Sequence, residues 1–246
     1  MGIFGISGLV TIAAAPATGE LIIEAFGYRP FFLVTAALAA VTLGVSLSLR
    51  DPEKASALAP EPASDRFLSR RRLLVPLMVS FSFGLGLGTV FVFLPPYAKA
   101  LDLGRIGPFY IFYTLAAIGV RFFGGRLSDR FGRRRVILPA LIMQALGNLW
   151  LSYPRPWFAL RAIGLLIGGA HGLLYPALSA LVVDLTGEKG RGKVLGAFSA
   201  AILLGSAVGS FTFGVIAHFL GFPPIFLLAG GIILLGFAAF SLWGEA

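Results

Sequence analysis

The 246 residues contain no cysteine, so neither a disulfide framework nor a thiolate metal site can be built. No metal and no cofactor is expected. Charge is also scarce, at 13% of residues, where soluble domains carry about 25%. With 57% of residues hydrophobic, a soluble fold could not cover its surface with polar groups. A bilayer removes that requirement, because lipid then solvates most side chains. The net charge of +9 does not indicate nucleic acid, because the basic residues sit in short loops between apolar runs. A secretory signal is missing too: the first apolar run has no basic n-region and is too long for an h-region.

A membrane helix needs about 20 mostly apolar residues. Eight runs qualify, over 2–26, 30–49, 74–98, 106–124, 136–153, 157–183, 194–219 and 223–243. Alternate loops carry Arg50, Lys54, Arg66 and Arg70–Arg72, then Arg126, Arg130 and Arg133–Arg135, then Lys189, Arg191 and Lys193. The opposite loops carry Arg29, Lys99, Arg105 and Arg155. The richer side is expected to be cytoplasmic, with both termini on it. The abundance of Ala, Gly and Arg over Lys fits a bacterial inner-membrane protein. The chain is therefore expected to be an all-α integral membrane protein of about eight transmembrane helices.

The stretch 51–73 is rich in Pro, Ala, Ser and charge and predicts a cytoplasmic linker. It leaves two helices in 1–50 and six in 74–246. Shifting residues 2–49 by 194 positions places Gly2 on Gly196, Thr18 on Thr212, Gly27 on Gly221 and Pro30 on Pro224. Glycine and proline have backbone reasons to recur at a tight turn. The first two helices thus repeat the last two, and repeated six-helix halves are a known transporter architecture.

Between the fourth and fifth runs lies Gly125-Arg126-Leu127-Ser128-Asp129-Arg130-Phe131-Gly132-Arg133-Arg134. It resembles the signature of the major facilitator superfamily, at the place of its second copy, in the cytoplasmic loop between helices eight and nine. FLPPYAKALDLG, GVRFFGG and GGAHGLLYPALSALVVDLTGEKGRGKVLGAF resemble helices seven, eight, ten and eleven of the same family. The resemblance covers essentially the whole chain and implies a partial major facilitator fold, helices five to twelve of twelve. It implies transport of a small solute such as a drug or sugar by alternating access, with efflux, antiport and proton coupling as its common forms. The chain is expected to be a truncated or mis-started form, inactive alone without the missing N-terminal helices. A non-transporting membrane fragment that self-associates or regulates a partner is the alternative.

Within the signature, Gly125 and Gly132 permit tight turning and close helix approach. Asp129 can face a neighbouring helix N-terminus, and Arg130, Arg133 and Arg134 can pair with it or with lipid phosphates. The resemblance implies that this copy braces the first helix when the cytoplasmic side is closed, so Asp129 is expected at the N-terminal turn of the first span. The bland alternative is that Arg133–Arg135 only set topology.

Ionisable groups at membrane depth are costly and therefore candidates for function. His171 lies mid-span with a pKa range suited to proton coupling, and Tyr175, one turn on, shares its face. Pro176 marks a kink. Glu20 lies in the opposite half of the first span and can carry a proton or pair with a cation. Tyr110, Tyr113 and Thr114 are within reach of a cavity. Gln144 and Asn148 share a face and suit helix-to-helix glue or a cavity wall. Arg121 is expected to snorkel to the cytoplasmic interface, and Glu24 and His218 to be interfacial. Gly84, Gly86 and Gly88 suit either a flexible break or close packing.

Two motifs mislead. Gly187–Lys193 spells a phosphate loop, but Val194 replaces the Ser or Thr and no strand precedes it. Ser7 and His171 sit in segments that resemble those of rhomboid proteases. Ser7 is expected near the surface and His171 mid-membrane, beyond the roughly 3 Å a nucleophilic pair needs. No enzymatic activity is expected.

Overall fold

A computed structural model describes residues 11, 14–15, 18–48, 71–153, 157–186 and 190–243, and not the side chains of 71, 123–127, 129 and 157. Most of the linker, Ser7, the N-terminal turn of the first span and residues 187–189 therefore lie outside the described residues. Eight helices are described: α1 over 18–26, α2 Tyr28–Ser48, α3 Arg71–Ala100, α4 Gly107–Phe131, α5 Arg133–Leu151, α6 Trp157–Thr186, α7 Arg191–Leu220 and α8 Phe222–Leu242. Of these, α2, α3, α6, α7 and α8 are long and apolar enough to cross a membrane. The helices α4 and α5 are more polar, in part because they carry the charged residues of the signature at their adjoining ends. Gln144, Asn148 and Gly147 of α5 are all buried.

Two boundaries differ from the expected ones. Residues 71–73, expected in the linker, already belong to α3. The signature, expected as a loop, is largely helical: α4 runs through it to Phe131, and only Gly132 separates α4 from α5. Gly132 makes that junction at φ 89°, where a side chain would be strained. Chain reversal is thus confined to one residue.

The same device appears at the corresponding turn of the two segments related by the shift of 194. Gly27 (φ 80°) ends α1 and Gly221 (φ 79°) ends α7. The Gly27 N–H donates to the Ile23 carbonyl at 2.9 Å, and the Gly221 N–H to the Ala217 carbonyl at 3.0 Å. Ile23 and Ala217 are themselves related by the shift of 194, and so are the bounds of α2 and α8.

Helices α3 to α8 pack into one bundle. Lipid tails are as apolar as leucine, so close contact between small residues has to hold such helices together. On α6, Gly164, Gly168 and Gly172 lie one turn apart. A Cβ there would sit 2.6 Å from the Phe109 carbonyl oxygen, 2.1 Å from that of Tyr113 and 2.7 Å from that of Ala117. These contacts run in parallel register along α4. Gly84 and Gly88 of α3 and Gly205 and Gly209 of α7 do the same for a second parallel pair. A Cβ at Gly205 would lie 2.0 Å from the Phe81 carbonyl oxygen. Because α3 is continuous through 84–88, its glycines serve close packing there and not a break.

The buried apolar side chains form two clusters. One, at the end carrying the signature, includes Leu73, Phe83, Val136, Leu178 and Phe240. The other, at the opposite end, includes Tyr97, Phe109, Tyr113, Leu151 and Ile225. The signature-bearing end, with its run of arginines, is the basic end.

Candidate functional site

His171 of α6, which belongs to neither cluster, and Tyr113 of α4, a member of the second, share a hydrogen bond through Nδ1 and the phenol hydroxyl. Either ring tautomer satisfies it: the hydroxyl donates to a bare Nδ1 or accepts from Nδ1–H. Tyr113 is fully buried and His171 is 8% exposed. The imidazole also meets Phe83 of α3 edge-on at 5.5 Å between centroids. Its one-turn neighbour Tyr175 is 6.1 Å from it. Tyr175 in turn packs edge-on against Phe198 of α7 and is 39% exposed. Side chains from α3, α4 and α6 therefore converge on one imidazole, and α7 is reached through Tyr175. α6 continues through Pro176 to Thr186, so the proline does not end the helix that carries it.

Arg121 joins this group. Its guanidinium carbon lies 5.7 Å over the Tyr175 ring. The expected snorkelling to the basic end does not occur, and the extended α4 explains why. Arg121 is ten residues short of Phe131, about 15 Å along the helix axis, while the packing of Gly172 on Ala117 brings an aromatic face within reach. Tyr110 lies one turn nearer the opposite end, stacked on Phe91. Phe91 also meets Tyr113 edge-on, and Thr114 is buried beside them.

Gln144 and Asn148 are completely buried on α5. The Asn148 amide donates to the Gln144 backbone carbonyl at 2.9 Å. A Cβ on Gly86 of α3 would lie 3.4 Å from the Asn148 side-chain nitrogen. The described hydrogen bonds do not join this pair to His171.

At the basic end, the signature arginines tie helix termini together. Arg133 donates from Nε to Asp184 of α6 at 3.1 Å and from a terminal nitrogen to Ser128 of α4 at 3.1 Å. Arg134 donates to the Ser241 carbonyl near the end of α8, one of the last-turn acceptors a helix leaves open. These partners add to the expected ones, Asp129 and lipid phosphate, and exceed a mere topology signal. Arg130 is exposed and lies 5.6 Å over Phe131. Gly125 and Asp129 belong to α4, but the Asp129 side chain and its expected contact with the first turn of the chain lie outside the described residues. Asp184 is a partner that the sequence signals only by position, as an acidic residue at the mouth of a span, opposite a run of arginines.

At the opposite end, α1 is clasped to the start of α4. Glu24 and Arg105 form an ion pair at 2.7 Å, and the Glu20 carboxylate accepts from the Gly107 N–H at 3.2 Å. Glu20, a candidate proton or cation site, thus faces the open N–H groups of a helix N-terminus. His218 is exposed and packs on Phe219. Because the chain lacks cysteine, the clasp can be read without background. An E24C/R105C pair should be joined efficiently by a short bifunctional thiosulfonate, and an E24C/H218C pair should not. Equal yields would show that the clasp does not form. Both partners are about half exposed, so E24Q should cost less than about 1 kcal/mol in stability.

A model of the Major Facilitator Superfamily matches residues 1–120 and 109–246. The chain is 23% identical over 245 residues to "Multidrug resistance protein MdtG" of Escherichia coli (strain K12 / DH10B), covering 95% of this chain and 60% of that protein. It is 30% identical over 168 residues to "Multidrug resistance protein 2" of Bacillus subtilis (strain 168), covering 66% of this chain and 40% of that protein. The chain thus spans less than two thirds of the length of these relatives. Its helical bundle, its signature-bearing helix end and the match along nearly all of its length make one assignment: the chain belongs to the major facilitator superfamily.

Proposed function

We propose that this chain provides the wall of a solute path in a secondary transporter that works by alternating access. The observation that carries the proposal is the convergence of α3, α4 and α6 on the His171–Tyr113 pair, with α7 joined to it through Tyr175. A polar, titratable group buried among apolar side chains is costly in a membrane unless it is used. In this reading residues 74–246 form a complete six-helix half, 1–50 the last two helices of the other half, and 51–73 the cytoplasmic linker joining them. The basic end is cytoplasmic. The names of the relatives favour efflux of a drug-like solute. His171 carries the coupling proton, Tyr113 holds its ring, and Tyr175 contacts solute. Gln144 and Asn148 hold α5 in the bundle. Asp129 braces the N-terminal turn of the first span, and Glu20 with Glu24 closes the opposite end. These two contacts alternate as the path opens to one side and then the other.

The test is deletion of the gene in its native cell. The deletion strain should accumulate more of at least one compound in a panel of dyes and antibiotics, and re-expression should restore export. Parent-level accumulation across the whole panel would overturn the proposal and favour a non-transporting membrane partner. Alone in proteoliposomes the chain is expected to bind solute without accumulating it.

A further inference from the structure

The polar group on this face has a sign. Through the apolar reaches of the bundle, 73–98, 107–125, 136–153, 157–183, 194–220 and 222–242, the ionisable acids and bases are Arg121, Arg161, His171 and His218, with no Asp or Glu among them. Arg161 lies near the opposite end, 5.9 Å over Phe112, and His218 is exposed. Arg121 stands beside the His171 group. Its Nε is buried and has no hydrogen-bond partner among the described residues. The nearest acid on its own helix is Asp129, two turns and about 12 Å further on. Asp184 is engaged by Arg133. A guanidinium offers its N–H groups as a planar fork that matches a carboxylate. Arg121 also lies too deep, about 15 Å from the end of α4, to meet lipid headgroups. A cationic solute at this wall would meet positive charge and no carboxylate.

We infer that this site takes a small organic acid with a flat apolar body, its carboxylate held by Arg121 and its body laid against Tyr175. The inference rests on the reading of the His171 group as solute-facing. Phe198 backs Tyr175 edge-on, and Phe83 backs the neighbouring imidazole of His171. The aromatic platform supplies area at low entropic cost, and the arginine selects the sign of the charge.

The probes are 1-naphthoate, 1-naphthamide and 1-naphthylmethylamine, which share a body and differ in charge. Binding is measured by equilibrium dialysis against the full chain in phosphatidylcholine nanodiscs, with empty nanodiscs subtracted. Naphthoate should bind best and the amine worst. R121Q should weaken naphthoate by about tenfold to a hundredfold, the range of a lost charged hydrogen bond, and leave naphthamide nearly unchanged. R121K, which keeps the charge and loses the fork, should fall between. If the amide or amine binds as well as naphthoate, and Tyr175→Ala or His171→Gln weakens it, the solute face stands and the anion preference is wrong. If no probe binds, the solute-facing reading fails and this inference with it. If R121Q and R121K lower the melting temperature and reduce all three probes alike, Arg121 is structural and the inference is overturned. It is overturned as well if replacing phosphatidylcholine by phosphatidylglycerol abolishes naphthoate binding, because a lipid headgroup would then be the partner.

Discussion

Gly168→Ala should destabilise the bundle by about 2 kcal/mol and separate Tyr113 from His171. The new methyl would lie 2.1 Å from the Tyr113 carbonyl oxygen, a backbone atom that no rotamer change can move. Overpacking a tight interface costs roughly 1–3 kcal/mol, and this contact belongs at the upper end. Against it stands the better helix propensity of alanine, worth about 1 kcal/mol. The clash prevails because relief requires α4 and α6 to move apart, which loosens the flanking contacts at Gly164 and Gly172 as well. Gly119→Ala is the matched control. Nothing lies within 4 Å of its added methyl, so only the propensity gain remains and stability should rise slightly. Thermal melting in detergent, followed by tryptophan fluorescence, reads both. Equal melting temperatures for the two variants would mean that α4 and α6 are not in close contact.

That interface also decides how much of the site is legible in the sequence. The apolar runs locate the helices, and Gly27 and Gly221 locate two junctions, because both signals are local. The His171–Tyr175 pair is legible because one helical turn separates the two residues. The partnership of His171 with Tyr113 is not. The residues are 58 positions apart, and only the seating of α6 glycines on the α4 backbone fixes the register that joins them. Glycines at 164, 168 and 172 mark a contact face on α6 but not the helix it meets. Arg121 departs from its expected place for a related reason. With the signature as a loop, the arginine would stand one turn from the interface; with the signature helical, the interface recedes and Tyr175 is the nearer polarisable group. Asp184 is hidden in the sequence because its partner arginine lies on a different helix.

His171→Gln should remove proton coupling while leaving the fold and part of the transport cycle intact. Glutamine keeps a polar group near the Tyr113 hydroxyl, so the buried phenol need not lose its partner, a loss that would cost about 1–3 kcal/mol. Glutamine cannot carry a proton. If His171 couples one proton to each solute, each unit of pH difference supplies about 1.4 kcal/mol, roughly a factor of ten in the solute gradient. In the complemented deletion strain, export by the parent should then fall when a protonophore collapses the gradient. The H171Q variant should lose about that tenfold factor and become indifferent to the protonophore. Exchange of labelled for unlabelled solute should survive, because it moves no net charge and needs no release of the proton. Tyr113→Phe separates coupling from mere structure. It keeps the ring contacts with Phe91 and Phe109 but removes the hydroxyl that orients the imidazole, so coupling should weaken without being abolished. If instead H171Q and Y113F lower stability together and reduce exchange as much as uphill export, the pair is a hydrogen-bonded strut between α4 and α6, and the coupling proton travels elsewhere.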